Sequence, residues 1–86
     1  MQVSLQALKA FESAARRGSF KLAAEELSLT PTAISHHIGN LENRLNVSLF
    51  HRQGRRISLT GTGIRLAKAT SEGFRKIDSA LEEVVK

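Results

Sequence analysis

The 86 residues contain no cysteine, tryptophan or tyrosine, and proline appears once. Without cysteine no disulfide can staple so small a domain, and the composition fits a reducing cytoplasm. The four phenylalanines fall mostly at positions with core spacing, so few rings remain to stack on single-stranded bases, which disfavours RNA as a partner. No run approaches the roughly 18 consecutive apolar residues of a membrane span. Met1 to Gln6 also lacks a basic segment followed by an apolar one. A cytoplasmic protein with no membrane partner is expected. Acids are missing from one long stretch: none lies between Glu42 and Glu72, where Arg44, Arg52, Arg55, Arg56, Arg65 and Lys68 all fall. Such a one-signed block is either a solvated face or a footprint for a polyanion, nucleic acid first and acidic lipid second.

What is present describes one small soluble domain: 41% of residues are hydrophobic and 24% charged, with a formal net charge of +5. A core of this size is marginal by itself, and a partner subunit would help it. Leu5, Leu8, Phe11, Ala14 and Ala15 recur at helical spacing, and Gly18 follows Arg16 and Arg17 as a stop signal would. Ser19 can cap a short second helix with Phe20, Ala23, Ala24 and Leu27 inside and Glu25 and Glu26 outside. Thr30 followed by Pro31 opens a third helix, expected to end at about Arg44 or Leu45.

The third helix separates a helix-turn-helix from an ordinary helical pair. At about 100° per residue, Ile34, Ile38, Leu41 and Leu45 share a narrow stripe. Thr32, His36, Gly39 and Asn43 lie opposite, with Ser35 and Asn40 on the flanks. That outward face is small, polar and free of acids, which suits a helix placed in a DNA major groove. After Asn46 the period becomes two, through Val47, Leu49 and Phe50, then Arg52 to Arg56, then Ile57 and Leu59. A hairpin with Gly54 in its turn and arginines at its tip is expected. The fold class is therefore mainly α: a winged helix-turn-helix, with a three-helix core and a β-hairpin wing over residues 1–59.

Thr60 opens a last helix expected to run to about Val85. Ala67, Thr70, Phe74, Ile77, Leu81 and Val84 are spaced three, four, three, four and three apart, a heptad seam. A helix of about 25 residues extends roughly 37 Å, more than this domain can cover. Residues 60–86 are therefore read as a linker helix that pairs with a second copy, the alternative being that it folds back over the first helix.

Enzymatic constellations are not visible. His36 and His37 are adjacent and diverge around a helix, so they cannot chelate one metal as a pair one turn apart could. Gly61-Thr62-Gly63 lacks the strand and the lysine of a phosphate loop. Ser35 beside His36 has no geometry for nucleophilic catalysis. Neither a metal nor another cofactor is expected. The competing class is a dimerisation or partner-docking module whose basic block meets an acidic protein.

Leu8, Phe11, Ala14, Gly18-Ser19-Phe20, Ala23-Ala24, Leu27, Thr30, Ala33-Ile34-Ser35, Ile38, Leu41-Glu42, Leu45, Leu49-Phe50, Arg52, Arg55, Leu59-Thr60 and Gly63 together resemble the N-terminal domain of LysR-type transcriptional regulators. The resemblance covers almost the whole chain. It implies a bacterial transcription factor that binds promoter inverted repeats in double-stranded DNA as a homodimer through the last helix. It further implies a C-terminal domain for a small-molecule effector, which this chain does not include.

On that basis Thr32, Ser35 and His36 are the candidates for base edges. Thr30, Pro31 and the positive end of the third helix would hold phosphate. Lys21, Arg52, Arg55 and Arg56 are the phosphate or wing candidates, with Arg55 favoured by the family pattern. Three positions depart from that pattern. Pro31-Thr32 stands where Gln-Pro is frequent, His36 and His37 replace the frequent Arg and Gln, and Asn46 replaces the helix-ending glycine.

Overall fold

A computed structural model describes residues 2–54 and 56–85. The chain runs α1 (Leu5–Arg17), α2 (Phe20–Leu27), α3 (Pro31–Leu45), β1 (Phe50–Gln53), β2 (Arg56–Leu59) and α4 (Gly61–Val85). Each of the first three helices starts on a hydroxyl cap: Ser4, Ser19 and Thr30 accept from the N–H groups of Ala7, Leu22 and Ala33. Each ends on a left-handed residue, Gly18, Ser28 and Asn46 in turn. Asparagine at the third stop works because its short polar side chain tolerates that conformation. Serine carries the second stop, where Leu29 N–H donates to Ala24 O at 2.8 Å.

The core is small-residue packing around a few large side chains. Ala7, Ala10, Ala14, Ala23 and Ala24 let α1, α2 and α3 approach closely, while Phe11, Ile34, Ile38, Leu41 and Leu49 fill the centre. Burying each of these large side chains stabilises by about 1.5–3 kcal/mol. Of the face expected for α1, Phe11 and Ala14 are buried and Leu8 and Ala15 pack against the core, but Leu5 is 60% exposed and the buried set also takes in Ala7, Ala10 and Ser13. Alanine carries too little hydrophobicity to have marked that face in a pattern of large residues.

The two strands pair antiparallel, Phe50 with Leu59, His51 with Ser58, Arg52 with Ile57 and Gln53 with Arg56, and Gly54 turns the chain at φ 59°. Burial alternates only in β2, since Phe50 is followed in β1 by three exposed residues. Leu49 and Phe50 are both buried and Val47 is exposed, so residues 47–49 are a connector rather than strand. Phe50 anchors the hairpin by inserting between two rings, each at a centroid distance of 5.6 Å: Phe11 of α1 and Phe20 of α2.

The start of α4 is locked to this connector. Thr60 donates its hydroxyl to Ser48 O at 2.7 Å, its N–H goes to Leu49 O at 3.0 Å, and its Oγ1 caps the Gly63 N–H at 2.9 Å. Gly63 lies against the Leu49 carbonyl so closely that a side-chain carbon there would overlap it. Leu66 and Ala67 pack onto the core, after which α4 projects, giving overall dimensions of 46 × 27 × 20 Å. No described helix is long and apolar enough to cross a membrane.

Candidate nucleic-acid interface

The turn between α2 and α3 is short, and its chemistry points α3 outward. Thr30 Oγ1 accepts from Ala33 N–H at 3.0 Å and Thr30 O accepts from Ile34 N–H at 3.1 Å. Pro31, in the first helical position, has no N–H to satisfy. One lone-pair site of the Thr30 hydroxyl is therefore spent on its own helix. Thr30, Pro31, Thr32 and His36 are exposed, and Ser35 is half-buried.

With Ile34, Ile38 and Leu41 buried beneath it, the outer face of α3 forms one wall and floor of a shallow trough. Thr32, Ser35, His36, Gly39, Asn40 and Asn43 line it from the helix, and Arg52 lines it from the wing. The structure thus brings together four of the candidates named from the sequence: Thr32, Ser35, His36 and Arg52. Lys21, in the first turn of α2, and Arg56, opposite Gln53, are exposed but do not line the trough. Arg55 lies outside the described residues.

Among the described residues Arg52 is the arginine that lines the trough, and its position is built. Its guanidinium stands 5.2 Å from the centre of the Phe20 ring, and Nη2 lies 3.5 Å from Glu42 Oε1. The other oxygen of Glu42 accepts from Leu49 N–H at 2.7 Å and Phe50 N–H at 3.4 Å. One carboxylate therefore joins α3, the connector and the wing. In the sequence Glu42 marked the edge of the acid-free block and, with Leu41, a position of the family pattern, but no partner for its charge was legible. The available signal was an acid directly after core Leu41, where a charged group must find partners.

A second ionic cluster joins α1 to α2. Glu26 accepts from the Ser13 hydroxyl at 2.9 Å and is paired with Arg16 and Arg17, while Arg16 also pairs with Glu12 at 2.9 Å. Arg16 holds the Glu26 carboxyl at about 2, against a partial burial that pushes the other way, with Ser13 and Arg17 assisting. The same contacts raise the Arg16 guanidinium further above its usual range. The basic pair that ends α1 is thereby neutralised. Glu26, expected on an outer face, is an interhelical strut. Among the described residues no group of three His, Cys, Asp or Glu side chains could hold a metal.

Along α4 the expected seam divides. Ala67 is packed against its own core, and the Thr70 hydroxyl turns back to Leu66 O at 3.0 Å. Phe74 is half-buried. Beyond it Ile77, Leu81 and Val84 are 53%, 58% and 80% exposed. Only the first part of the helix lies along α1, where Ala15 and Arg16 face Ile64, Ala67 and Lys68 across a narrow cleft.

Known proteins share this fold. The chain is 49% identical over 77 residues to the HTH-type transcriptional regulator PerR of Escherichia coli K12, an alignment that covers 90% of this chain and 26% of that protein. Its fold matches the probable transcriptional regulator PA0477 of Pseudomonas aeruginosa with a TM-score of 0.87 and 34% identity, over 94% of this chain and 27% of that one. It also matches BenM_DBD, solved in complex with catB site 1 DNA, with a TM-score of 0.87 and 24% identity over 95% and 91% of the two chains. That match identifies the fold as the winged helix-turn-helix. The chain spans about a quarter of the length of the curated relatives it matches. The family model for bacterial regulatory helix-turn-helix proteins of the lysR family matches residues 5–64, and the chain belongs to that family.

Proposed function

We propose that this helix-turn-helix domain reads promoter inverted repeats in double-stranded DNA as a homodimer, with α3 of each copy in the major groove and the wing against the backbone or minor groove. The observation that carries the reading is the acid-free trough on α3, lined by hydrogen-bonding side chains and edged by a fixed Arg52. Neutral donors and acceptors discriminate base edges, and a held guanidinium meets phosphate without first losing much side-chain freedom. The exposed Ile77, Leu81 and Val84 supply the pairing surface for a second copy. A small-molecule effector would act through the remainder of a longer regulator, and the complex would form in the cytoplasm.

Reading and holding separate by mutation. His36→Ala is expected to cost about 1–3 kcal/mol on the preferred duplex and much less on random duplex. Arg56→Ala is expected to weaken both alike. Fluorescence anisotropy with a selected site and a random duplex measures this. Equal losses for His36→Ala would remove it from the reading set, and a parent protein that prefers no duplex would favour the docking of an acidic protein instead.

A further inference from the structure

Gly18, Gly54 and Gly63 have visible duties within the chain, while Gly39, Gly61 and Gly73 have none, and of these three only Gly39 lines the trough. Gly18 and Gly54 occupy the left-handed region, and Gly63 makes room for the Leu49 carbonyl. Gly39 sits in the middle of α3 with an ordinary helical backbone, and a side-chain carbon placed on it would meet nothing within 4 Å. Glycine is among the worst residues for a helix interior, because it loses the most backbone freedom on folding. Nothing in the chain's own packing offsets that cost.

The position of Gly39 supplies what the packing does not. It lies on the floor of the trough, one turn beyond His36 and one turn before Asn43, with the Arg52 guanidinium at the edge. Removing a side chain there lowers the floor where a bound surface would come nearest. Resting on the duplex-binding reading above, we propose that Gly39 is the point of closest approach between α3 and the DNA, with base-pair edges of the major groove seated against its Cα. An α-helix with side chains is about 10–12 Å across and the groove about 12 Å wide, so one absent side chain decides how deeply the helix seats. Gly39 is then a specificity-determining position: depth sets whether the short Ser35 and Thr32 side chains reach base edges. The Arg52 guanidinium, held by Glu42 and Phe20, stands at the edge of the same trough.

Gly39→Ala tests the proposal because it moves stability and binding in opposite directions. The 86-residue chain would first select sites from a random-sequence duplex pool, and parent and variant would then be compared on a selected site and on random duplex. Expected are a Tm raised by roughly 2–8 °C and affinity for the selected site lowered about tenfold or more, with little change on random duplex. A lowered Tm would overturn the proposal, since the glycine would then serve the fold. Unchanged affinity for the selected site would overturn it too, and equal losses on both duplexes would move the contact from base edges to the backbone and refute the placement. A parent that enriches no duplex would fail the DNA-binding reading itself, a result distinct from a parent that binds and a variant that binds equally well.

Discussion

At the scale of single residues, the most demanding contact involves a methyl group that is not there. Gly63 packs on the Leu49 carbonyl, while Gly61, two residues earlier on α4, has open space around it. Gly63→Ala should therefore destabilise by about 2 kcal/mol or more through overpacking against rigid backbone, and Gly61→Ala should be neutral or stabilising. Urea denaturation of both variants checks this, and equal midpoints would refute it. Glu26 gives the pH counterpart. Its carboxyl is lowered from the ordinary 4.5 to about 2 in the folded chain, so the unfolded chain takes up its proton first. The stabilisation is complete above the unfolded value and is lost as pH falls from about 5 towards 2. Because Arg16 is 46% exposed and Glu26 27% exposed, solvent screening limits this contribution to about 1 kcal/mol. Glu26→Gln should flatten the decline in urea midpoint between about pH 5 and pH 3, and a parallel decline in both proteins would show that other carboxyls set it.

At the scale of elements, the sequence is legible wherever one residue type does one job. Ser19, Thr30 with Pro31, Gly18, Asn46 and Thr60 punctuate the chain and mark boundaries of α1, α2, α3 and α4, whereas the Ser4 cap of α1 and the Ser28 stop of α2 carry no such distinctive signal. The buried stripe of α3 was readable for the same reason, since Ile34, Ile38 and Leu41 are large and its outer face is not. Two features escaped because their signal is spatial. The inner face of α1 is mostly alanine, so Ala7 and Ala10 did not stand out as core and Leu5 did, and the Glu42 bridge joins groups that periodicity never relates. The seam of α4 was legible as spacing, but where it stops serving the domain depends on how much of the helix α1 covers. Leu81, 58% exposed, lies beyond that cover. Leu81→Asp should give a monomer with a folded winged domain, because desolvating an unpaired carboxylate in a helix pair costs several kcal/mol. Analytical ultracentrifugation with circular dichroism decides it. A variant that remains dimeric places the interface elsewhere, and one that unfolds assigns Leu81 to the domain's own core.

At the scale of the whole molecule, charge is distributed unevenly. The Arg16 and Arg17 pair is neutralised by Glu12 and Glu26, while Arg44, Arg56, Arg65 and Lys68 are exposed in the acid-free stretch. If two copies together neutralise about six phosphates or more, log K against log salt should fall with a slope of roughly −5 or steeper. Titrations at several salt concentrations measure it, and retained affinity with a slope near zero would exclude a phosphate-based interface. The joint at Thr60 and Gly63 has a mechanical consequence. Its hydrogen bonds and the seat of Gly63 on Leu49 leave no loose segment between wing and α4. The 25-residue helix therefore behaves as the handle of a lever whose blade is α3. A tilt of about 5° along the roughly 27 Å of helix beyond Ala67 displaces its far end by roughly 2 Å. If two copies pair through α4, torque applied at its far end would reach the trough through this joint as a change in the register between them.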